Sequence, residues 1–145
     1  MKRITIIGLI LVILIQFIPS RIDELESDPQ SDFINAESIP EEMAHILKNS
    51  CYDCHSASTR LPWYSKIAPV KWLINKHINE GREELNFSLW TSYSEKKKRH
   101  KLDECYELIG ENEMPLTSYL WLHSDSKLEE SEKQILNEWI LSRVQ

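Results

Sequence analysis

Four stretches of the chain repeat apolar residues at helical spacing. Ile39, Met43, Ile46 and Leu47 fall on one face of a helix that opens near Pro40. Val70, Leu73, Ile74, His77 and Ile78 repeat the pattern, with Pro69 before them and Gly81 after. Leu102, Cys105, Tyr106 and Ile109 mark a third helix ended by Gly110. A fourth runs from about Glu129 to Arg143, with Ile135, Leu136, Trp139 and Ile140 on its apolar face and Ser131 with Gln134 as its expected capping box. No stretch alternates long enough to compete as a strand, and with 3 Gly and 6 Pro the chain lacks the turn signals of an all-strand fold. The pattern predicts an all-α domain over residues 38–145.

The first residues break that rhythm. Lys2 and Arg3 precede an apolar run from Ile4 to Ile18, interrupted only by Gly8 and Gln16. As a helix the run reaches roughly 22 Å, short of the ~30 Å hydrocarbon core of a bilayer. Lys2, Arg3 and Arg21 would have to snorkel to the interfaces. Ile18 stands where a cleavable signal wants a small residue, which favours an uncleaved anchor over a removed leader. The positive end stays inside. Residues 1–19 are therefore expected to be a signal-anchor, single-pass in a bacterial inner membrane, with the domain facing the periplasm. A soluble periplasmic form after cleavage is the alternative. Residues 20–37 are acidic, lack a sustained apolar period and read as a tether.

Charge narrows the partners. The 17 basic residues against 23 acidic ones give a net charge of -6, and setting Lys2 and Arg3 aside makes the remainder more acidic still. That excludes nucleic acid as an expected partner and suits a protein partner with a complementary basic patch. The basic run Lys96-Lys97-Lys98-Arg99-His100-Lys101 reads as the solvated start of a helix, with a docking patch as its rival reading. Three Cys residues are an odd number, so a pure disulfide framework is not available.

The strongest chemical signal is Cys51-Tyr52-Asp53-Cys54-His55, a C-x-x-C-H string. Two Cys residues three apart on a helical turn project to one side, so both sulfurs can add to the two vinyl groups of one haem. The next residue then offers its imidazole to the iron. This reading makes Cys51 and Cys54 the thioether attachments of one covalent haem c and His55 the proximal iron ligand. Three blander readings compete. A thiol-disulfide pair usually follows a strand of a β-α unit, which is absent here. A zinc site needs two further ligands, which Cys105 and a His would have to supply. Coincidence would leave a small loop.

Around this string the sequence resembles the small bacterial haem-binding domain family. The likeness rests on Cys51 to Ser56, Thr59-Arg60, Pro62-Trp63-Tyr64-Ser65, Pro69-Val70, His77 to Arg82 and Leu85-Asn86-Phe87-Ser88. It continues through Met114-Pro115, Tyr119, Leu122-His123 and Trp139, covering roughly residues 38 to 142. The resemblance implies a cytochrome c-like helical fold and haem binding, and supplies no physiological partner.

The sixth ligand sets the potential of such an iron. Met114, in a loop between the third and last helices and followed by Pro115, is assigned that role. His77, on an apolar helix face, is the rival, with a propionate contact or a packed core position as its other readings. His123 comes next. Met43 is expected in the core, and His45 and His100 in solvent. A carbonyl of the loop Ser56 to Pro69 is expected to accept from His55 Nδ1 and orient the ring. Trp63, Tyr64 and Arg60 are candidate haem-edge contacts, and Cys105 a buried small hydrophobe. The function expected is a one-electron carrier between redox proteins, not an enzyme. A five-coordinate haem sensor or peroxidase-like module is the alternative, and a haem-free thiol or zinc module the third reading.

Overall fold

The computed structural model describes residues 2–144, and among them there is no strand. The all-α expectation holds; the membrane segment does not. Helix α1 spans Lys2–Leu14, only 13 residues, or roughly 20 Å at 1.5 Å per residue. A tight turn over Ile15–Phe17 follows, and Ile18 is extended. No helix among the described residues is long and apolar enough to cross a membrane. The expected single-pass anchor is thus overturned, and with it the inner-membrane placement. The apolar run is not one continuous α-helix: after Leu14 it tightens into the turn Ile15–Phe17, where Gln16 turns its amide onto residue 68. Its Oε1 accepts from Ala68 N at 2.9 Å and its Nε2 donates to Ala68 O at 3.2 Å.

The acidic segment read as a tether is laid along helix α5 (Val70–Glu84). Lys71 Nζ donates to Ile18 O, Asn75 Nδ2 to Ser20 Oγ, Asn79 Nδ2 to Arg21 O, and Arg82 Nη1 to Asp23 O at 2.7 Å. Asp23 N donates to the Asn79 side chain. Most of these contacts are to main chain, so the segment needs no apolar pattern of its own. A short helix α2 (Phe33–Ala36) follows, capped by Asp32, whose carboxylate accepts from Ile34 N.

The core is aromatic. Phe33, 1% exposed, stacks on Phe87 at 5.0 Å and meets Trp90 and Trp139 edge-on at 4.7 and 5.5 Å. Around this cluster pack Met43, Ile46 and Leu47 of α3 (Glu41–Ser50), Leu102 and Ile109 of α6 (Glu95–Gly110), and Leu136 and Ile140 of α8 (Glu130–Val144). Helix α4 (Tyr52–His55) is a single turn, and α7 (Thr117–Leu120) another. Met43 is buried and His45 and His100 are exposed, as their sequence positions predict.

Three helix ends differ from expectation for identifiable reasons. Helix α5 runs through Gly81 to Glu84. Helix α6 ends at Gly110, but the left-handed residue that closes it is Asn112, at φ 60°. Asn112 N donates to Ile109 O and Glu113 N to Leu108 O, the paired bonds of a Schellman cap. At the start of α8 the reciprocal bond runs from Glu129 N to Glu132 Oε2, not between Ser131 and Gln134. The basic run lies within the first turns of α6. Lys98 pairs with Glu95, Lys101 with Glu84 and Glu104, and His100 contacts Glu104, while Lys97 sits 3.8 Å over the Tyr93 ring.

Truncating Phe33 to Ala removes the centre of the aromatic cluster. It should destabilise the fold by about 3–5 kcal/mol, read as a lowered urea midpoint. A loss below about 1 kcal/mol would mean that residues before 38 do not belong to the cooperative unit.

Candidate haem site

The C-x-x-C-H string folds as one helical turn. Cys54 N and His55 N both donate to Cys51 O, at 3.2 and 3.0 Å, which closes the turn and brings the two Cys side chains to one side. Both Cys residues and His55 line a cavity of about 320 Å³. Its other walls are apolar, with Val70, Leu73, Ile74 and Ile78 from α5 and Leu61 and Leu122 from the flanking loops. Burial pushes the Cys51 thiol up to about 12 and the Cys54 thiol to about 11. Neutral thiols facing an apolar cavity suit covalent attachment to a hydrophobic macrocycle. They are the reverse of the depressed thiols of a thiol-disulfide motif. Among the described residues no three His, Cys, Asp or Glu side chains gather as a metal cluster, so the zinc alternative has no ligand set.

His55 is held from behind. Its Nδ1 lies 2.9 Å from Gly81 O and 3.0 Å from Leu85 O, two acceptors, so Nδ1 carries the proton and donates. Burial lowers the imidazole pKa against the pull of those carbonyls, and the ring is neutral near pH 7. Nε2 is left as the unprotonated nitrogen, the form a metal requires. The orienting carbonyls come from the end of α5, not from the loop Ser56 to Pro69 as expected. That loop is instead fastened through Arg82, whose Nε donates to Ser56 O at 2.9 Å and Nη2 to Thr59 Oγ1.

Gly81 explains how α5 gets close enough. A Cβ there would stand 2.9 Å from Cys54 O and 3.4 Å from Cys54 Cβ. The Leu85-Asn86-Phe87-Ser88 string completes the wall. Leu85 gives its carbonyl to His55, and Asn86 caps the turn that follows through Ser88 N. Phe87 stacks on Tyr52 at 5.2 Å and meets the His55 ring edge-on at 6.3 Å. Ser88 Oγ accepts from Ala57 N.

The other expected site residues divide. Met114, His77, His123, Tyr64 and Arg60 all line the cavity. Trp63 is 76% exposed and lies outside the lining, so its expected haem-edge contact is not formed by this wall. His77 lies four residues before Gly81, on the α5 face that packs on the Cys54 turn. His123 is committed at both nitrogens, Nδ1 to Tyr119 O and Nε2 to Tyr64 OH, each at 3.1 Å, and its ring stacks on Tyr119 at 4.1 Å. Arg60 is clamped rather than free, with Nε and Nη2 each 3.1 Å from the two Asp53 oxygens.

Asp53 is a residue that pattern reading passed over. Buried inside the C-x-x-C-H turn, its carboxylate accepts from Arg60 N, the Arg60 guanidinium and Tyr119 OH at 2.9 Å. The signal was an acidic residue between two Cys, in a turn whose other residues face an apolar wall. The sequence marks Tyr119 only through the likeness, and Gly81 otherwise only as an expected helix end.

A haem-binding domain family matches the chain over residues 10–142. No curated protein and no solved structure gives a match.

Two glycine substitutions should separate close approach from simple helix preference. Gly81→Ala gains up to about 1 kcal/mol of helix propensity but overpacks Cys54, at a cost of about 1–3 kcal/mol, so the fold should lose stability. Gly110→Ala, with nothing within 4 Å of its Cβ, should be neutral or stabilising by up to about 1 kcal/mol. Thermal melts of both variants give the signs, and equal signs would remove the close-approach argument.

Proposed function

The chain belongs to the haem-binding domain family, and on that premise we propose that it is a one-electron carrier holding one covalent haem c with His55 and Met114 as axial ligands. The observation that carries this reading is the wall that unites two neutral thiols and a neutral, carbonyl-oriented imidazole, with a thioether side chain lining the same cavity. When bound, haem supplies a one-electron iron couple whose potential the axial pair tunes. The chain's residues do the rest. Cys51 and Cys54 fix the cofactor edge against the turn. Gly81 O and Leu85 O hold the His55 proton at Nδ1, which makes Nε2 the more basic donor and stops ring rotation. Leu61, Val70, Leu73, Ile74 and Leu122, most of them exposed along the cavity, would pack on a bound haem and exclude water from it.

Met114 is favoured over its rivals by position. Its loop follows the Schellman cap of α6, and Met114 N donates to Leu108 O at 3.2 Å, so the thioether approaches from a segment remote in sequence from the turn. His77 rises from the helix that already backs His55, and His123 would have to give up its bond to Tyr64 to bind a metal. A thioether is a soft neutral ligand that favours ferrous iron, so this pair supports a higher potential than two imidazoles would. The chain's net charge of -6 suits a redox partner presenting a basic face.

The reading is tested at three positions. The double change Cys51→Ala, Cys54→Ala should give protein whose mass lacks haem after denaturation; retention through denaturation would refute the attachment site. Met114→Ala should keep haem attached, lose the long-wavelength charge-transfer band of thioether-ligated ferric haem, admit carbon monoxide and lower the potential. Met114→His should close the iron again at a lower potential than the thioether gives. His77→Ala should leave the axial spectrum unchanged. If His77→Ala opens the iron and Met114→Ala does not, the ligand assignment is reversed.

A further inference from the structure

Residues 116–123, which carry the chain on from Met114, are joined to the first half of the protein by two hydrogen bonds among the described residues. One is Tyr119 OH to Asp53 Oδ2 at 2.9 Å, and the other Tyr64 OH to His123 Nε2 at 3.1 Å. The first is the stronger by type, because its acceptor is a carboxylate in a buried setting. Its anchor is also rigid. Asp53 cannot swing without breaking the Arg60 fork, the bond from Arg60 N, and the turn in which Asp53 O accepts from Thr59 Oγ1 at 2.8 Å. Arg60 in turn reaches the end of α3 through Lys48 O. At the other end the Tyr119 ring stacks on His123 at an interplanar angle of 11°, and Tyr119 O holds His123 Nδ1, so the two rings move as one body. Burial raises the Tyr119 phenol above its ordinary value, which keeps it a donor.

We propose that Asp53 and Tyr119 are positioning residues that tie the haem-attachment turn to the Met114 loop and so set how closely the distal thioether is held. The inference rests on the assignment of Met114 as ligand. Asp53 lies two residues before His55, and Tyr119 five residues after Met114. One hydrogen bond therefore spans the two sides of the cavity from within the segments that carry the two ligands. A loop fastened at this point holds its thioether over the cavity; a loop released there lets it leave, with no change at the attachment side.

The test is Tyr119→Phe, which deletes one oxygen and keeps the ring that stacks on His123. In the holoprotein the haem should stay covalently attached by mass. The thioether charge-transfer band should weaken, and carbon monoxide should bind the ferrous protein about tenfold to a hundredfold more readily, the range expected from losing one hydrogen bond to a charged group. Asp53→Asn, which keeps an acceptor oxygen for the phenol, should open the iron less than Tyr119→Phe does. Ile140→Val, a core change remote from the cavity, should lower the melting temperature without moving the band or carbon monoxide binding. Tyr119→Phe with unchanged carbon monoxide binding, in a protein where Met114→Ala opens the iron, overturns the inference alone. Absence of the thioether band from the unsubstituted protein overturns the ligand assignment and the inference together. If Tyr119→Phe does not accumulate, Tyr64→Phe releases the second bond of the same loop. It should then give the same direction of change, and its failure to do so counts against the tie.

Discussion

Main chain meets main chain where α5 crosses the Cys51–His55 turn, and Gly81 is the residue at the crossing. With no Cβ there, the helix comes close enough for its own carbonyl to reach His55 Nδ1 at 2.9 Å. The same approach delivers Leu85 O to the same proton and brings Arg82 onto Ser56 and Thr59. One steric allowance therefore decides the tautomer of His55, the course of the loop after it, and the position of α5 as a cavity wall. Moving α5 outward would loosen all three together, because none of these bonds has slack to compensate.

The molecule separates two kinds of interior. On one side is a packed aromatic core, in which Phe33, Phe87, Trp90 and Trp139 interlock and the indole of Trp90 donates to Glu37 Oε1 at 2.8 Å. On the other is an apolar cavity bordered by a dense polar seam of Asp53, Arg60, Tyr119, His123 and Tyr64. Tyr52 and Phe87 stand between them and belong to both, since the stacked pair backs the turn that carries the Cys residues. The seam keeps a buried carboxylate paired, which removes the cost of an isolated charge beside a low-dielectric cavity.

Much of this was legible from spacing alone, and the failures have physical causes. The helices α3, α6 and α8 follow apolar periodicity because each buries one face against the same core, and α5 because its apolar face walls the cavity. The C-x-x-C-H string was readable as a candidate haem site because few residue types can do that work, and Met114 lines the same cavity. Periodicity misjudged the N-terminal segment twice. The run Ile4 to Ile18 looked continuous, but the amide of Gln16 found two main-chain partners at Ala68 and the helix stopped at Leu14. Residues 20–37 read as free because they lack an apolar period, yet Arg21 and Asp23 are bound through their backbone, which leaves almost no trace in side-chain sequence, and Phe33 enters the core as a single apolar residue with no period around it. The orienting carbonyls of His55 were assigned to the wrong segment for a related reason. A carbonyl belongs to every residue, and only the Gly81 approach singles out which one arrives.

Helix α5 thereby takes on three tasks on two faces. Val70, Leu73, Ile74 and His77 wall the cavity and Gly81, on the same face, meets the turn; Lys71, Asn75, Asn79 and Arg82 grip the segment from Ile18 to Asp23 from the other. A helix has room for such division because positions three and four apart share a face while their neighbours point elsewhere. Arg82 ties two parts of the chain together. Its guanidinium bonds the early segment through Asp23 O and the loop after His55 through Ser56 O and Thr59 Oγ1, and these in turn lead to Asp53. The early segment is thus mechanically connected to the Cys51–His55 turn through a single cation. Holding α5 from outside, it resists the outward displacement that would open the crossing at Gly81, and the His55 hydrogen bonds depend on that crossing staying closed.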